Sequence, residues 1–413
     1  MKICIVGCGN MGTGLAYLLA KEKDVERLTL ADNDIKLVER ALSIVESQGV
    51  NVKKIKGEQV DALKQEEVAR LAKGSEIVFN GTYPNCNVSI MRACLDAGAH
   101  YLDLAARPFK MPGVPPLDTL EAQFELDDKF KAGGLTAIPS AGVAPGWTDL
   151  AARYIIDQLD RVDKVIVRFG DWYDSDELIL ALRPPLIFTE FFGPPGYSLC
   201  SENGEGKKVD LWRSEEVYEF PDPVGRITLF TVNVHGEIYT LPRFTGKPIR
   251  HVEVKGGWQV SKLSIKEMWL RAMAKQMPQH LGTEMINMIE LFGSSIMGPW
   301  DFKDACDKGI VRDGAVAFSV EVSGTKGGQQ VLHTAYNVIT LSESLKHLPW
   351  ASHGVYATVS VLPIELVLML GRGELTKRGV VAVASLDNYK TILRRANERG
   401  HIQSEKIKRS PIV

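Results

Sequence analysis

The sequence predicts an α/β protein in two parts: a doubly wound parallel sheet first, then a second α+β domain on a mixed sheet. Three observations carry this. Strand and helix patterns alternate with short links from Lys2 to Ile138; Gly7-Cys8-Gly9-Asn10-Met11-Gly12 stands between the first strand pattern and the first helix pattern; and beyond residue 162 strand-like runs dominate. A chain of 413 residues has room for roughly two or three domains and a large core.

The elements follow in order. Lys2 to Val6 is a short β-rich apolar run, and a helix pattern covers about 11–21. Then come a strand at 27–31, a helix at 34–47, a strand at 51–56, a helix at 64–73, a strand at 76–79, a helix at 87–97, and short strands at 100–103 and 135–138. Such alternation means a parallel sheet with helices on both faces, which binds ligands beyond the carboxyl ends of its strands. The segments 80–84 and 102–107 lie at such ends. Ser140 to Trp147 reads as a turn into a helix at 148–159 and as a hinge, giving domains at 1–147 and 148–349, with C-terminal helices of 350–413 returning to the first. The second domain is expected to hold strands at 162–169, 226–234, 249–255, 316–323 and 331–340, with a Met- and Leu-rich helical insertion near 262–312. The apolar stretch Val355 to Leu370, interrupted by Pro363 and Glu365, reads as a buried strand and a core helix rather than a membrane span. Ser385 to Arg399 closes as a helix with a basic last turn.

Composition narrows the function classes. The 49 basic and 51 acidic residues leave a net charge of −2 with no block of like charge, so no nucleic-acid or anionic-membrane partner is expected. Six cysteines, at 4, 8, 86, 94, 200 and 306, form no C-x-x-C pair; no metal site or disulfide framework is expected, and a reducing cytoplasm fits. A first strand beginning at Lys2 leaves no room for a signal peptide in this sequence.

The glycine loop is a Rossmann-type dinucleotide fingerprint because of where it stands. Gly7 permits the tight turn, Gly9 lets backbone approach a pyrophosphate, and Gly12 lets helix and strand pack closely; the intervening Cys8, Asn10 and Met11 line the same turn. Twenty residues past Gly12, Asp32 ends the second strand pattern, followed by Asn33. A carboxylate there accepts ribose hydroxyls and repels a 2′-phosphate, so the expected cofactor is NAD rather than NADP. Cys8 reads as a small loop filler, at a helix N-terminus of the kind that can lower a thiol pKa.

In the run Thr231 to Tyr239, alternation places Thr231, Asn233, His235, Glu237 and Tyr239 on one face of a strand. A solvated sheet face and a substrate cleft both fit that pattern. As a cleft, its pair His235 and Glu237 suits proton transfer near neutral pH. Arg107 and Arg243 are candidate forks for a substrate carboxylate. Tyr83, in a loop after a strand, Asp103, at the carboxyl end of a strand, and Asp171 with Trp172, closing a strand, are further candidates to contact substrate. Arg183 to Cys200, rich in proline and phenylalanine, is expected to help shape the pocket. His251, His280 and His401 read as surface or packing residues.

Five segments in this order resemble the saccharopine dehydrogenase-like family, which includes saccharopine reductases, lysine 6-dehydrogenases and carboxynorspermidine dehydrogenases. They are Gly7 to Gly12 with Asp32; Val78 to Asn85 with Ala97 to Leu104; Gly142 to Gly146; His235 to Pro242; and Gly371 to Glu374 with Lys377 to Val380. The resemblance implies a nicotinamide cofactor, interconversion of an amine and an imine on an amino-acid or polyamine-like substrate, and a homodimer. It would place Asn80, Gly81 and Thr82 along the nicotinamide ribose, Leu104, Ala105, Ala144 and Pro145 near the nicotinamide, and Asp61 and Ala62 beside the adenine. It also favours the cleft reading of His235. Ala144 departs from the saccharopine reductases, which carry an acidic residue there, and argues against saccharopine as substrate. A transferase that borrows hydride through bound NAD, similar to homospermidine synthase, and a non-catalytic NAD-binding regulator are the alternatives.

Overall fold

The computed structural model describes residues 1–110, 119–177, 197–233, 235–260, 263–264, 302–399 and 403–411. The chain divides into two compact units. The first gathers residues 1–158, 234–248 and 358–400, and the second residues 159–233, 249–357 and 401–413.

In the first unit, strands β1 (Lys2–Val6), β2 (Arg27–Asp32), β3 (Ile55–Gln59), β4 (Ile77–Asn80), β5 (His100–Asp103) and β6 (Thr136–Ile138) run parallel in the order β6-β5-β4-β1-β2-β3, with Gly379–Val380 adding an edge beside β6. The order reverses between β1 and β4, which is where such sheets open a ligand crevice at their carboxyl ends. Helices α1 (Asn10–Lys21), α2 (Ile35–Ser47), α3 (Gln65–Ala72), α4 (Asn87–Ala97), α5 (Leu120–Phe124), α6 (Asp127–Ala132), α7 (Trp147–Ile156) and α8 (Glu237–Phe244) belong to the same unit. Their limits have local causes. The Asp34 side chain caps α2 by accepting from Lys36 N, and Gly98, at φ 70°, ends α4 in the left-handed region, which glycine enters without a Cβ penalty. α7 buries Trp147, Leu150, Ile155 and Ile156, each worth roughly 1.5–3 kcal/mol of transfer from water.

The second unit is built on a mixed sheet. β7 (Arg161–Ser175) is central, and the unit adds β8 (Ser198–Glu202), β9 (Glu205–Val209), β10 (Glu216–Glu219), β11 (Arg226–Thr231), β12 (Ile249–Val260), β13 (Leu263–Ser264), β14 (Val311–Lys326) and β15 (Gln329–Thr340). The order is β10-β11-β12-β7-β14-β15 with Gln403–Pro411 at the edge; β12 and β7 are parallel, and β8 pairs antiparallel with β12 and β9.

Several segments differ from the sequence expectation. The strand expected at 226–234 ends at Thr231, and the polar run beyond it turns at Gly236 into α8. Its alternation is not strand alternation: Glu237 and Thr240 are as buried as Ile238 and Leu241, so polarity does not mark an outward face here. Residues 353–360 are helical rather than extended, because a helix buried on all sides has no polar stripe to reveal its period. The stretch His353–Gly371 is long and apolar enough to cross a membrane, but 83% of its apolar window is buried inside the protein. Gln403–Pro411, beyond the C-terminal helices, pairs with β15 in the second unit. Of the helical insertion near 262–312, Phe302–Asp307 is a helix; the Met-rich block 265–292, His280, His401 and Arg183 to Gly196 lie outside the described residues.

Candidate active site

The carboxyl ends of β1, β2, β4, β5 and β6 converge through short loops. Gly7 has φ +99°, and a Cβ built on it would stand 2.7 Å from the Gly81 carbonyl carbon; one on Gly12 would stand 1.8 Å from Gly7 O. Gly7 and Gly12 thus let loops pack backbone to backbone. Gly9 is different: a Cβ there meets no atom within 4 Å, and Gly9 caps α1 without a side-chain hydrogen bond. Open space in front of an uncapped helix N-terminus fits a pyrophosphate, which supplies the acceptors that the first N–H groups need. Asn10 and Met11 are half-buried in the first turn of α1.

Asp32 stands beside this cradle, its Oδ2 accepting from Cys8 N at 2.7 Å and its Oδ1 from Asp34 N at 3.1 Å. Cys8 fits the loop-filler reading: burial, and then the Asp32 charge, push its thiol pKa well up rather than down. Asn33 is exposed, and half-buried Asp61 and Ala62 follow β3; Asp61 Oδ1 accepts from Leu63 N at 3.0 Å.

Asn80 does not face outward. Its amide donates to Asn87 Oδ1 (2.8 Å) and Tyr101 Oη (3.1 Å), while its Oδ1 accepts from Thr82 N (2.9 Å) and Thr82 Oγ1 (2.6 Å). The side chain therefore shapes the turn that presents Gly81 and Thr82. Asn87 carries the pattern on, donating to Ala105 O at 3.0 Å and so fixing the loop that holds Leu104 and Ala105, both half-buried. Tyr83 is exposed at 42%.

Asp103 lies inside. Its carboxylate accepts from Tyr101 Oη (2.8 Å), Gln123 Nε2 (2.6 Å) and Ser140 N (2.7 Å), and burial raises its pKa to about 6. In this geometry it ties β5 to the loop after β6. Arg107 O accepts from Leu120 N at 2.8 Å, joining the next loop to α5. Exposed Arg243 stacks its guanidinium over the rings of Tyr239 (4.1 Å) and Phe109 (5.4 Å). Asp171 belongs to the second unit. It is 4% exposed and held by His353 Nε2 at 2.6 Å and by Tyr173 Oη at 3.4 Å.

Below the 142–146 loop, two helix N-termini bring acidic groups together. In α7, Asp149 Oδ2 accepts from Gly146 N at 3.0 Å and its Oδ1 accepts from Thr240 Oγ1 of α8. In α8, Glu237 Oε1 accepts from Thr148 Oγ1 at 2.7 Å, and Oε2 lies 3.5 Å from His235 Nδ1. Both carboxyls are buried, Asp149 at 1% exposure and Glu237 at 0%. Burial first, then the Glu237 charge, raise the Asp149 pKa to about 8. The arrangement can hold a proton on Asp149 at neutral pH and sets the Glu237 carboxylate beside His235. Ala144, half-buried, and buried Pro145 lie in the same loop. Sequence reading missed Asp149, Thr148 and Thr240; the spacing of Gly146 and Asp149, an N-cap and its third helical residue, is the available signal.

A pH test follows. With a folded pKa near 8 and an unfolded one near 3.9, Asp149 binds its proton in the folded state while the unfolded chain has lost it. Its contribution is fully present at low pH and is lost as pH rises toward 8. Asp103 acts in the same direction but is spent by about 6. Asp149→Asn is therefore expected to flatten the fall in melting temperature between pH 6 and 8.5. The amide fits, because Thr240 Oγ1 also reaches Gly236 O at 3.1 Å and can accept from the new NH₂. An unchanged slope in the variant counts against a protonated Asp149.

A dinucleotide-type crevice ringed by glycine turns, an acidic residue at the end of β2 and a buried acid–histidine group define the class: a nicotinamide-dependent oxidoreductase scaffold. Residues 3–138 match the family described as saccharopine dehydrogenase NADP binding domain. Apo saccharopine dehydrogenase (L-Glu forming) from Saccharomyces cerevisiae shares the fold, with TM-score 0.67 over 98% of this chain and 99% of its own at 12% identity. Carboxynorspermidine synthase of Vibrio cholerae is 24% identical over 401 residues, spanning 94% of this chain and 92% of that protein. Carboxyaminopropylagmatine dehydrogenase of Synechocystis sp. is 28% identical over 176 residues, 41% of this chain and 42% of its own. Over residues 3–138, and in its fold, the chain is thus similar to saccharopine dehydrogenases, the proteins its five sequence segments resemble.

Proposed function

We propose that this protein is an NAD-dependent oxidoreductase that interconverts an amine and an imine on an amino-acid or polyamine-like substrate. The observation that carries the reading is the open, uncapped turn at Gly9 with the Asp32 carboxylate beside it. The family matching residues 3–138 is described as NADP binding; preference for NAD rests on Asp32, whose negative charge opposes a 2′-phosphate. The names of the two relatives, a carboxynorspermidine synthase and a carboxyaminopropylagmatine dehydrogenase, support a carboxylated polyamine-like amine as the substrate class.

When bound, the nicotinamide supplies the hydride acceptor or donor. The protein's part is proton management. In the oxidative direction, His235 takes a proton from the substrate ammonium, so that the nitrogen lone pair can form the C=N bond as the neighbouring C–H leaves as hydride. Glu237, its Oε2 3.5 Å from His235 Nδ1, stabilises the imidazolium that results, while buried Asp149 keeps its own proton. Gly81, Thr82, Leu104, Ala105, Ala144 and Pro145 shape the nicotinamide end; Arg107, Arg243, Tyr83 and Tyr239 are the proposed substrate contacts, and Asp103 supports them from inside. The reading extends to a cytoplasmic homodimer, consistent with six cysteines that are all free thiols.

Titration with both reduced cofactors tests it. NADH is expected to bind at least about tenfold more tightly than NADPH, and Asp32→Ser to erase most of that ratio, a change of roughly 1.4 kcal/mol or more. Tighter NADPH binding would overturn the role of Asp32. Mass spectrometry of amine mixtures incubated with protein and NAD separates net oxidation from hydride borrowing and from binding alone.

A further inference from the structure

Strands β8 and β12 place four potential ligands on one sheet face. The antiparallel register sets His251 opposite Glu202 and Val252 opposite Ser201. By the same alternation Cys200 and Glu253 fall on the face shared by Glu202 and His251. The contacts agree: His251 Nδ1 lies 2.7 Å from Glu202 Oε1 and Nε2 lies 3.4 Å from Glu253 Oε2. A ligand atom from each of Cys200, Glu202 and His251 lies within 4.8 Å of the others, the one such group of three among the described residues.

Glu253 is in turn anchored, its Oε1 accepting from Thr231 Oγ1 at 2.5 Å, with Lys255 Nζ 3.9 Å away. That Lys255 also binds Glu216 Oε2 at 3.1 Å and Ser214 O at 3.0 Å. The 2.7 Å contact is an Nδ1–H donating to Glu202, a proton that a bound metal ion displaces, while Glu253 is positioned to hold Nε2–H and so leave Nδ1 to the ion. A histidine fixed by an outer carboxylate, beside a thiol and a second carboxylate, is the donor arrangement of a zinc centre.

We infer that Cys200, Glu202 and His251 form a zinc-binding site, with Glu253 orienting His251 and a fourth position left to water. Tetrahedral bonds of about 2.0–2.3 Å separate ligand atoms by roughly 3.3–3.8 Å, so the side chains need move only about an ångström to close on the ion. A thiolate among the donors favours zinc over magnesium or calcium. Cys200 is buried, while Glu202 keeps 35% of its side chain exposed and His251 18%, which leaves the ion a way in. The ion would clip β8 and its hairpin partner β9 to β12. This inference concerns the second unit alone and does not depend on the reading of the cofactor site. It also runs against the sequence expectation of no metal, because the ligands come as Cys-x-Glu and His-x-Glu on separate strands rather than as C-x-x-C.

Loading the full-length apoprotein with cobalt(II) tests the site without reference to activity. One equivalent per chain is expected, with an intense near-ultraviolet thiolate charge-transfer band and tetrahedral visible bands, displaced by zinc. Cys200→Ser should abolish the charge-transfer band. Glu202→Gln, at a partly exposed position, should keep the fold and weaken binding at least about tenfold, and Glu253→Gln should do so by about 10–100-fold. No thiolate band in the native protein, or one that survives Cys200→Ser, overturns the site. So does unchanged affinity in both glutamate variants.

Discussion

Gly12→Ala is expected to abolish soluble folding of the first unit, whereas Gly9→Ala is expected to leave folding intact and weaken cofactor binding. The two positions belong to one motif and differ only in what a methyl group would meet. At Gly12 the added carbon would stand 1.8 Å from Gly7 O and 3.3 Å from Ile5 Cγ2. Backbone cannot yield as a flexible side chain can, so the cost exceeds the roughly 1–3 kcal/mol of ordinary overpacking, against a total stability of about 5–15 kcal/mol. At Gly9 the methyl enters space empty of protein, and the backbone, at φ −67° and ψ −172°, suits alanine. What it fills is the place reserved for pyrophosphate. Losing a charge-assisted hydrogen bond there costs about 1.5–3 kcal/mol, or roughly 10–100-fold in affinity. Urea unfolding and NADH fluorescence titration read the two quantities separately; a Gly9→Ala protein with native affinity would remove the pyrophosphate from that turn.

His235→Asn is the second large effect. Its Nδ1 lies 3.5 Å from Glu237 Oε2, and both side chains are buried, so the pair can carry a proton in a site from which bulk water is excluded. Positioned general acid–base groups contribute about 10²–10⁴ in rate, and asparagine keeps the volume while removing the titratable nitrogen. Turnover is expected to fall at least about 100-fold while NADH affinity stays within about twofold. Glu237→Gln should shift the pH profile of turnover with a smaller loss. Native turnover in His235→Asn would move the proton step to another group.

The parts of this molecule that were legible in sequence are those fixed by local geometry. The glycine turn announces itself because few residues other than glycine adopt φ +99° or tolerate a carbonyl oxygen 1.8 Å from the Cβ position, and the β/α alternation follows hydrophobic period. Reading failed where polar residues are buried. In Thr231 to Tyr239, period two was inferred from polarity, yet Glu237 and Thr240 are enclosed by partners more than 80 residues earlier, Thr148 and Asp149. Those partners arise from folding alone, so the acid pair had no local trace beyond a possible helix cap. Asp103 closes β5 at the sheet's carboxyl edge, yet hydrogen bonds from Tyr101, Gln123 and Ser140 turn it inward. His251 looked isolated because its neighbour Glu202 is supplied by another strand.

The threading of the chain through two units has a consequence for how the protein is made. The nucleotide-type unit takes residues 1–158 early, but it also needs 234–248 and 358–400, which bring α8 with Glu237, the buried helix Pro363–Gly371 and the edge strand Gly379–Val380. At synthesis rates of about 5–20 residues per second, the interval between residue 158 and the start of that buried helix lasts roughly 10–40 s. Throughout it, the sheet faces that late segments cover stay bare on the ribosome. A fragment ending at residue 158 is thus a permanent version of that nascent state, and expression of the glycine-loop region alone should yield an aggregating species that binds no dinucleotide.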